Sequence, residues 1–204
     1  MRNVFPAAER PVVVDLGDRV AGDHPTRAGY REPPQCVPLA LLTNPSNTEK
    51  LIRLGVLDTN YQLSVWVLES GSVARGARSA VRQALRAASI ADDEVSNAES
   101  IVAELGANAE IHAEPPYELR ILSIGEMPMW CEVVDGDRDP ATVSIILGKL
   151  HQGETEKSPD AETGRGLPLA YLLSQGRCRT YPTRIFSTNQ AGKAIAFALP
   201  TRSG

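Results

Sequence analysis

The chain lacks the residues that mark several classes of protein. Its 204 residues include three cysteines and three histidines, and the aromatic content is only 5%. The cysteines, which are widely spaced and form no CxxC pair, are Cys36, Cys131 and Cys178. This spacing predicts reduced thiols, not a disulfide framework or a zinc site. The histidines, at positions 24, 112 and 151, are equally scattered, which disfavours a histidine-based metal cluster.

Strong charge of one sign and long apolar runs are also lacking. The formal net charge of −4 gives no basic footprint for nucleic acid or for an anionic membrane. No apolar run approaches the roughly 20 residues that a membrane-spanning helix needs. Residues 1–18 lack the basic-then-apolar order of a signal peptide. We therefore expect a cytoplasmic protein without a direct nucleic-acid or membrane partner.

The composition of the chain changes at about residue 60. Residues 1–59 are rich in proline, with glycines among charged residues, and we expect a partly irregular N-terminal extension. Within it, Val12 to Val14 predicts a short strand and Thr48 to Leu54 a brief helix. Regular periodicity begins at Asn60, so residues 60–204 are expected to form one domain.

The periodicity of residues 60–204 predicts helices and strands in a defined order. Apolar stripes indicate helices over residues 72–88, 92–112 and 167–174, and a shorter one at 143–150. Alternation and β-branched content indicate strands over residues 61–67, 117–124, 129–134, 177–180, 183–187 and 193–199. The expected fold class is α+β, a two-layer sandwich with helices on one face of a mixed, mostly antiparallel sheet.

The first informative segment is Glu104-Leu105-Gly106-Ala107-Asn108-Ala109. Glu104 and Asn108 are four residues apart, so they share one face of the predicted helix. The carboxamide oxygen of Asn108 suits Mg²⁺, which takes few protein oxygens. The carboxylate of Glu104 is suited to polarising a hydroxyl or a water. A solvated polar stripe is the alternative interpretation of these two residues taken alone.

The second segment ends a predicted strand with Asp135 and Gly136. A carboxylate there can accept a hydrogen bond from an adenine amine, while glycine lets the ring approach the backbone. An ordinary acidic turn is the alternative interpretation. A calcium loop built on Asp135, Asp137 and Asp139 is disfavoured, because Pro140 and Ile146 stand where that motif needs glycine and glutamate.

The third segment, Gly164-Arg165-Gly166, precedes a predicted helix. Free N–H groups at a helix start form an anion site, to which Arg165 can add a charge-assisted hydrogen bond. A Rossmann fingerprint is disfavoured, because Leu169 replaces the third glycine and the segment follows a polar loop. No GxxxxGK[ST] motif is present, which excludes a P-loop.

Together, these segments resemble the motifs of the Bergerat-fold ATPases of the GHKL group. Residues 104–109 are similar to the N-box of that group, residues 133–136 to its first glycine box and residues 162–167 to its second. Gly192 to Phe197 resembles the closing strand. The resemblance covers residues 60–200 and is strongest to small actinobacterial ATP-binding proteins of the anti-sigma-factor serine/threonine kinase type.

The resemblance implies a histidine-kinase-like ATPase domain that binds ATP and Mg²⁺. It implies that Asn108 is the Mg²⁺ ligand, that Glu104 is the catalytic base and that Asp135, followed by Gly136, reads the adenine. A lid over residues 137–163 would cover the phosphates. The residues implied to border the phosphates are Gly164, Arg165, Gly166 and Leu167.

The chain also departs from the family pattern. Arg138 replaces the second glycine of the first glycine box. Gly106, inside a predicted helix, costs about 1 kcal/mol relative to alanine. We interpret His112 as a structural or supporting residue, because no counterpart of the phosphoacceptor helix of histidine kinases is recognised. Autophosphorylation on histidine is therefore not expected.

The leading hypothesis from the sequence is a regulatory serine/threonine protein kinase that acts on a protein partner. By resemblance the partner would be an anti-sigma antagonist, a sigma factor or another transcriptional regulator, and a homodimer is left open. The alternative hypothesis is a non-catalytic module whose affinity for a protein depends on the bound nucleotide. A degenerate scaffold without nucleotide is disfavoured, because Glu104, Asn108 and Asp135 are all present.

Overall fold

The computed structural model describes residues 12–15, 61–154 and 166–200. The strands are β1 (Val12–Asp15), β2 (Tyr61–Leu68), β3 (Tyr117–Ile124), β4 (Met127–Asp135), β5 (Cys178–Arg184) and β6 (Ala191–Ala198). The helices are α1 (Val73–Ala87), α2 (Asp92–His112), α3 (Ala141–His151) and α4 (Gly166–Leu173). The helix predicted over residues 48–54 lies outside the described residues. None of the described helices is both long and apolar enough to cross a membrane.

The described strands form one open sheet in the order β1-β2-β3-β4-β6-β5. Each neighbouring pair is antiparallel, so the parallel pairing that a mixed sheet would contain does not occur among these strands. At one edge, β1 pairs with β2 in a register that places Val12 opposite Val65. Residues 12–15 of the predicted extension therefore belong to the sheet of the domain.

The helices lie on one face of the sheet, as a two-layer sandwich requires. Buried side chains of α1, α2 and α4 pack against alternate residues of the strands, including Leu119, Val133 and Phe197. Helix α2 lies between α1 and α4 and contacts both. The prediction of an α+β fold with helices on one face is confirmed.

Gly106 lies at a close approach of α2 to α1. A Cβ atom at this position would lie 3.0 Å from the Cα of Ala74 and 3.1 Å from its backbone nitrogen. The absence of a side chain thus permits a close contact between helix backbones. This contact is the physical reason for a residue of poor helix propensity in the middle of α2.

Strand β5 differs from the sequence prediction of two strands over residues 177–180 and 183–187. It is one continuous strand from Cys178 to Arg184, with Pro182 inside it. Proline is tolerated because β5 forms an edge of the sheet, where a backbone N–H is not needed by a second neighbour. The prediction was wrong because sequence alone does not show which strand lies at an edge.

The sheet face opposite the helices carries a buried charged network that the sequence did not reveal. Glu118, Arg120 and Glu132 are at most 1% exposed. The guanidinium of Arg120 donates to Glu118 Oε2 at 2.8 Å, and Glu118 also accepts the backbone N–H groups of Phe186 and Ser187. The network therefore ties β3 to the turn that follows β5.

Glu132 is the incompletely satisfied member of this network. Its Oε1 accepts a hydrogen bond from the hydroxyl of Tyr181, while its Oε2 has no hydrogen-bond partner and lies 3.6 Å from Nη1 of Arg120. Burial raises the pKa of Glu132 to about 7, although Arg120 and the bond from Tyr181 act in the opposite direction. Between pH 4.5 and about 7, the raised pKa favours a protonated Glu132 in the folded protein and an ionised one in the unfolded chain.

We predict that this carboxyl makes stability fall as the pH rises from 4.5, its ordinary pKa, to about 7. Because the pKa is higher in the folded state, protonation stabilises the fold below 4.5 and this contribution is lost through 7, roughly 3 kcal/mol in total. Glu132→Gln keeps an oxygen for Tyr181 and removes the titration. The unfolding free energy of Glu132→Gln minus that of the wild type, measured in urea at several pH values, should increase as the pH rises. A constant difference would contradict the prediction.

Candidate functional site

A cavity of about 610 Å³ lies where α2, α3, α4 and the ends of β4 and β6 meet. Three residues predicted for the nucleotide site line it together: Asn108, Asp135 and Leu167. They come from three segments that are distant in sequence. Lys193 and Ile195 of β6 line the same cavity. The fold therefore gathers part of each predicted motif around one space.

The start of α4 lies directly against the predicted metal-binding face of α2. Gly166 is buried, and a Cβ atom there would lie 2.6 Å from Nδ2 of Asn108 and 3.0 Å from Cβ of Glu104. The two side chains, four residues apart, thus share one helix face, as their spacing predicted. Gly164 and Arg165 lie outside the described residues, and their contact with phosphates stays a prediction.

Asp135 ends β4 and presents a buried carboxylate to the cavity. The residue is 2% exposed. Its Oδ1 accepts the backbone N–H of Asp137 at 3.0 Å and an N–H of Lys193 at 2.9 Å. Burial raises the pKa of Asp135, and the hydrogen bond from Lys193 opposes that shift. No described residue donates a hydrogen bond to Oδ2, so one oxygen of this carboxylate is left for a ligand.

Lys193 lines the cavity beside Asp135, and the sequence motifs did not identify it. It lies opposite Asp135 in the pairing of β4 with β6 and is 6% exposed. Its ammonium also donates to Oδ2 of Asp137 at 2.8 Å, and this bond lowers the pKa of Asp137. One signal was available: Lys193 is the only charged residue between Ala191 and Ala198, in a strand that is otherwise small and apolar.

The glycine that follows Asp135 has a packing role. Gly136 donates its backbone N–H to the carbonyl oxygen of Glu114 at 2.7 Å. A Cβ atom on Gly136 would lie 2.6 Å from the carbonyl oxygen of Pro115. Gly136 lines a neighbouring cavity of about 630 Å³ that also contains His112. The missing side chain lets the end of β4 contact the turn after α2, and its predicted role near adenine stays a prediction.

The alternating aspartates form an ordered turn. The backbone N–H groups of Asp137, Asp139 and Ala141 donate to the side chains of Asp135, Asp137 and Asp139 respectively. Two of the three carboxylates also accept from Lys193. In the described part of the chain, no group of three or more histidine, cysteine, aspartate or glutamate side chains could hold a metal ion.

Glu104 occupies a different position from the other predicted residues. It is half-buried in α2, beside Gly166, and is not among the residues that line the 610 Å³ cavity with Asn108. The geometry thus brings Asn108, Asp135 and Leu167 together, with Gly166 behind Asn108. Glu104 is one helical turn away from this set.

Comparison with known proteins gives no family for the chain. No protein-family model matches the sequence, and no curated protein matches it significantly. What the cavity binds must therefore be inferred from its own side chains.

We predict that Gly166→Ala displaces the carboxamide of Asn108. The new methyl group would lie 2.6 Å from Nδ2, the far end of a side chain that can rotate away, and 3.0 Å from Cβ of Glu104, so the fold should lose about 1–3 kcal/mol. The side-chain amide resonances of Asn108 in a ¹H–¹⁵N spectrum should shift. Gly148→Ala is the control, because a Cβ atom there meets nothing within 4 Å. Unchanged Asn108 resonances in Gly166→Ala would contradict the prediction.

Proposed function

We propose that the chain is an ATP-binding regulatory protein with a Bergerat fold of the GHKL type, and that the 610 Å³ cavity is its nucleotide site. The observation that carries the proposal is the convergence of Asn108, Asp135 and Leu167 on one cavity. These residues come from the three segments that resemble the family motifs. The resemblance implies a helical layer over a mixed, mostly antiparallel sheet, and the described part of the chain has a helical layer over a sheet whose strands are antiparallel throughout.

The cavity offers the surroundings that a purine base requires. Leu167, Ile195 and Val143 give it apolar surface, and Asp135 supplies a buried acceptor at one side. Ligand sites typically combine apolar walls with a few placed polar groups. A flat base between such walls would direct its exocyclic amine to Oδ2 of Asp135.

The residues present fit a magnesium ion that arrives with the nucleotide. Mg²⁺ usually keeps several waters and takes one or two protein ligands together with substrate phosphates. Asn108 supplies such a ligand, and it lies beside Gly166, the first residue of α4. When bound, the ion would neutralise charge on the phosphates. The N–H groups at the start of α4, with Arg165 by resemblance, would bind the phosphate oxygens.

We further propose that the protein transfers the terminal phosphoryl group of ATP to a serine or threonine of a partner protein. The partner would be an anti-sigma antagonist, a sigma factor or another transcriptional regulator. Glu104 lies on the same helix face as Asn108, so its carboxylate would accept the proton of the attacking hydroxyl. The phosphorus–oxygen bond to ADP breaks as the new ester bond forms.

One observation favours a second function. Because Glu104 does not line the cavity with Asn108, the site supports nucleotide binding more directly than phosphoryl transfer. In this alternative, the bound nucleotide sets the affinity for a protein partner and no phosphate is transferred.

We predict that the wild-type protein binds ATP with Mg²⁺ and that Asp135→Ala weakens this binding at least about tenfold, because a buried charged acceptor is lost. Isothermal titration calorimetry measures both affinities. Asp137→Ala is the matched control: it also removes a carboxylate partner of Lys193, but it leaves Oδ2 of Asp135 in place. The absence of any heat from the wild type would refute the proposed nucleotide site.

A separate prediction tests the kinase. Glu104→Gln should keep the affinity for ATP and lower phosphorylation of co-purified proteins from γ-labelled ATP by about a hundredfold or more, the usual effect of losing a general base. Glu110→Gln, a half-buried carboxylate later in the same helix, serves as the control. Equal labelling by wild type and Glu104→Gln would exclude Glu104 as the base. No labelling by either protein, with ATP binding intact, would favour the second function.

A further inference from the structure

We propose that Lys193 reads the base together with Asp135, by donating an N–H to the ring nitrogen beside the amine that Asp135 accepts. The pair would select adenine over guanine. This inference rests on the proposed nucleotide site and names a specificity-determining residue within it. For recognition of the base, the sequence motifs indicated Asp135 and not Lys193.

The ammonium of Lys193 has one N–H group to offer a ligand. An ammonium carries three donors. One donates to Oδ1 of Asp135 at 2.9 Å and a second to Oδ2 of Asp137 at 2.8 Å. The third has no acceptor among residues 61–154 and 166–200. Because Lys193 lines the cavity and is 6% exposed, a polar atom of a ligand is the acceptor that it can reach.

The carboxylate of Asp135 has one oxygen to offer. Oδ1 already accepts two hydrogen bonds, from Lys193 and from the backbone N–H of Asp137, which matches its two lone pairs. Oδ2 accepts none from the described residues. Asp135 can therefore accept one N–H group of a base through Oδ2. It cannot accept two adjacent N–H groups, because Oδ1 is already used.

This combination of one acceptor and one donor complements the edge of adenine. The adenine amine donates, and the ring nitrogen on either side of it accepts. In the pose proposed for adenine, guanine would place O6, an acceptor, against Oδ2 of Asp135, and on its Watson–Crick side it would place its ring N–H against the Lys193 ammonium. Buried polar groups that meet without a complementary partner cost affinity, so guanine should bind less tightly.

Cross-strand pairing fixes the two side chains relative to each other. Asp135 and Lys193 are direct partners in the register of β4 with β6. Gly192 permits this close pairing, because a Cβ atom there would lie 2.2 Å from the carbonyl oxygen of Asp135. The donor and the acceptor are therefore held by the sheet and not by a loop.

The first arm of the test uses the wild-type protein and Mg²⁺ with four ligands: ATP, GTP, 1-deaza-ATP and 7-deaza-ATP. Each deaza analogue replaces one ring nitrogen beside the amine with carbon. We expect GTP to bind at least about tenfold more weakly than ATP, and one of the two analogues to lose about tenfold, the usual effect of a charge-assisted hydrogen bond. The analogue that loses affinity identifies the edge of the base that is read.

The second arm repeats the series with Lys193→Met, which keeps an unbranched side chain as far as the ε position and removes the donors. ATP should bind about tenfold more weakly than to the wild type, and both deaza analogues should bind this variant as well as ATP does. Thermal unfolding of the variant with and without ATP checks that it is folded. If it is not folded, the wild-type series alone decides.

The outcomes separate this inference from the function on which it rests. No binding of ATP by the wild type would refute both. ATP binding that is weakened by Asp135→Ala, with both deaza analogues equal to ATP in the wild type, would refute the role of Lys193 and leave the nucleotide site standing. If a deaza analogue binds more weakly than ATP by the same factor in Lys193→Met as in the wild type, the role of Lys193 is also refuted.

Discussion

The ion pair between Lys193 and Asp135 is the interaction on which the arrangement of the site depends. Both groups are buried, and a buried charge without its partner costs several kcal/mol. The pair joins β4 to β6 at the end of the sheet that faces α2, and it also orders the turn through Asp137. The same contact therefore supports the fold and fixes the polar groups that the cavity presents.

The two faces of the sheet are stabilised by different interactions. The face under the helices is apolar and contains Leu119, Val133 and Phe197 in one continuous core. The opposite face combines a second apolar cluster, which includes Leu63 and Ile185, with the network of Glu118, Arg120 and Glu132. Such a network needs nearly all of its hydrogen bonds, because each unpaired buried group is costly. Glu132 is the member that lacks a partner at Oε2, and its burial raises its pKa.

Local pattern predicted the helices closely. Helix α2 runs from Asp92 to His112, the limits that its acidic start and its apolar stripe indicated. Spacing also predicted that Glu104 and Asn108 share a face. Lys193 was missed because its role depends on the partner strand and on the register, which sequence does not specify. The single strand β5 was predicted as two strands, and its tolerance of Pro182 depends on its position at the edge of the sheet.

Because α1 packs tightly against α2 at Gly106, the two sides of the cavity differ in how easily they can move. Asn108 projects from α2, whose backbone packs closely against α1 at Gly106. This side of the cavity therefore cannot move outward without disrupting the core. Helix α3 forms the facing wall and has one buried residue, Leu147, while Ile145 is 61% exposed. A conformational change that widened the cavity for a larger ligand would therefore move α3, while the atoms on α2 would keep their positions.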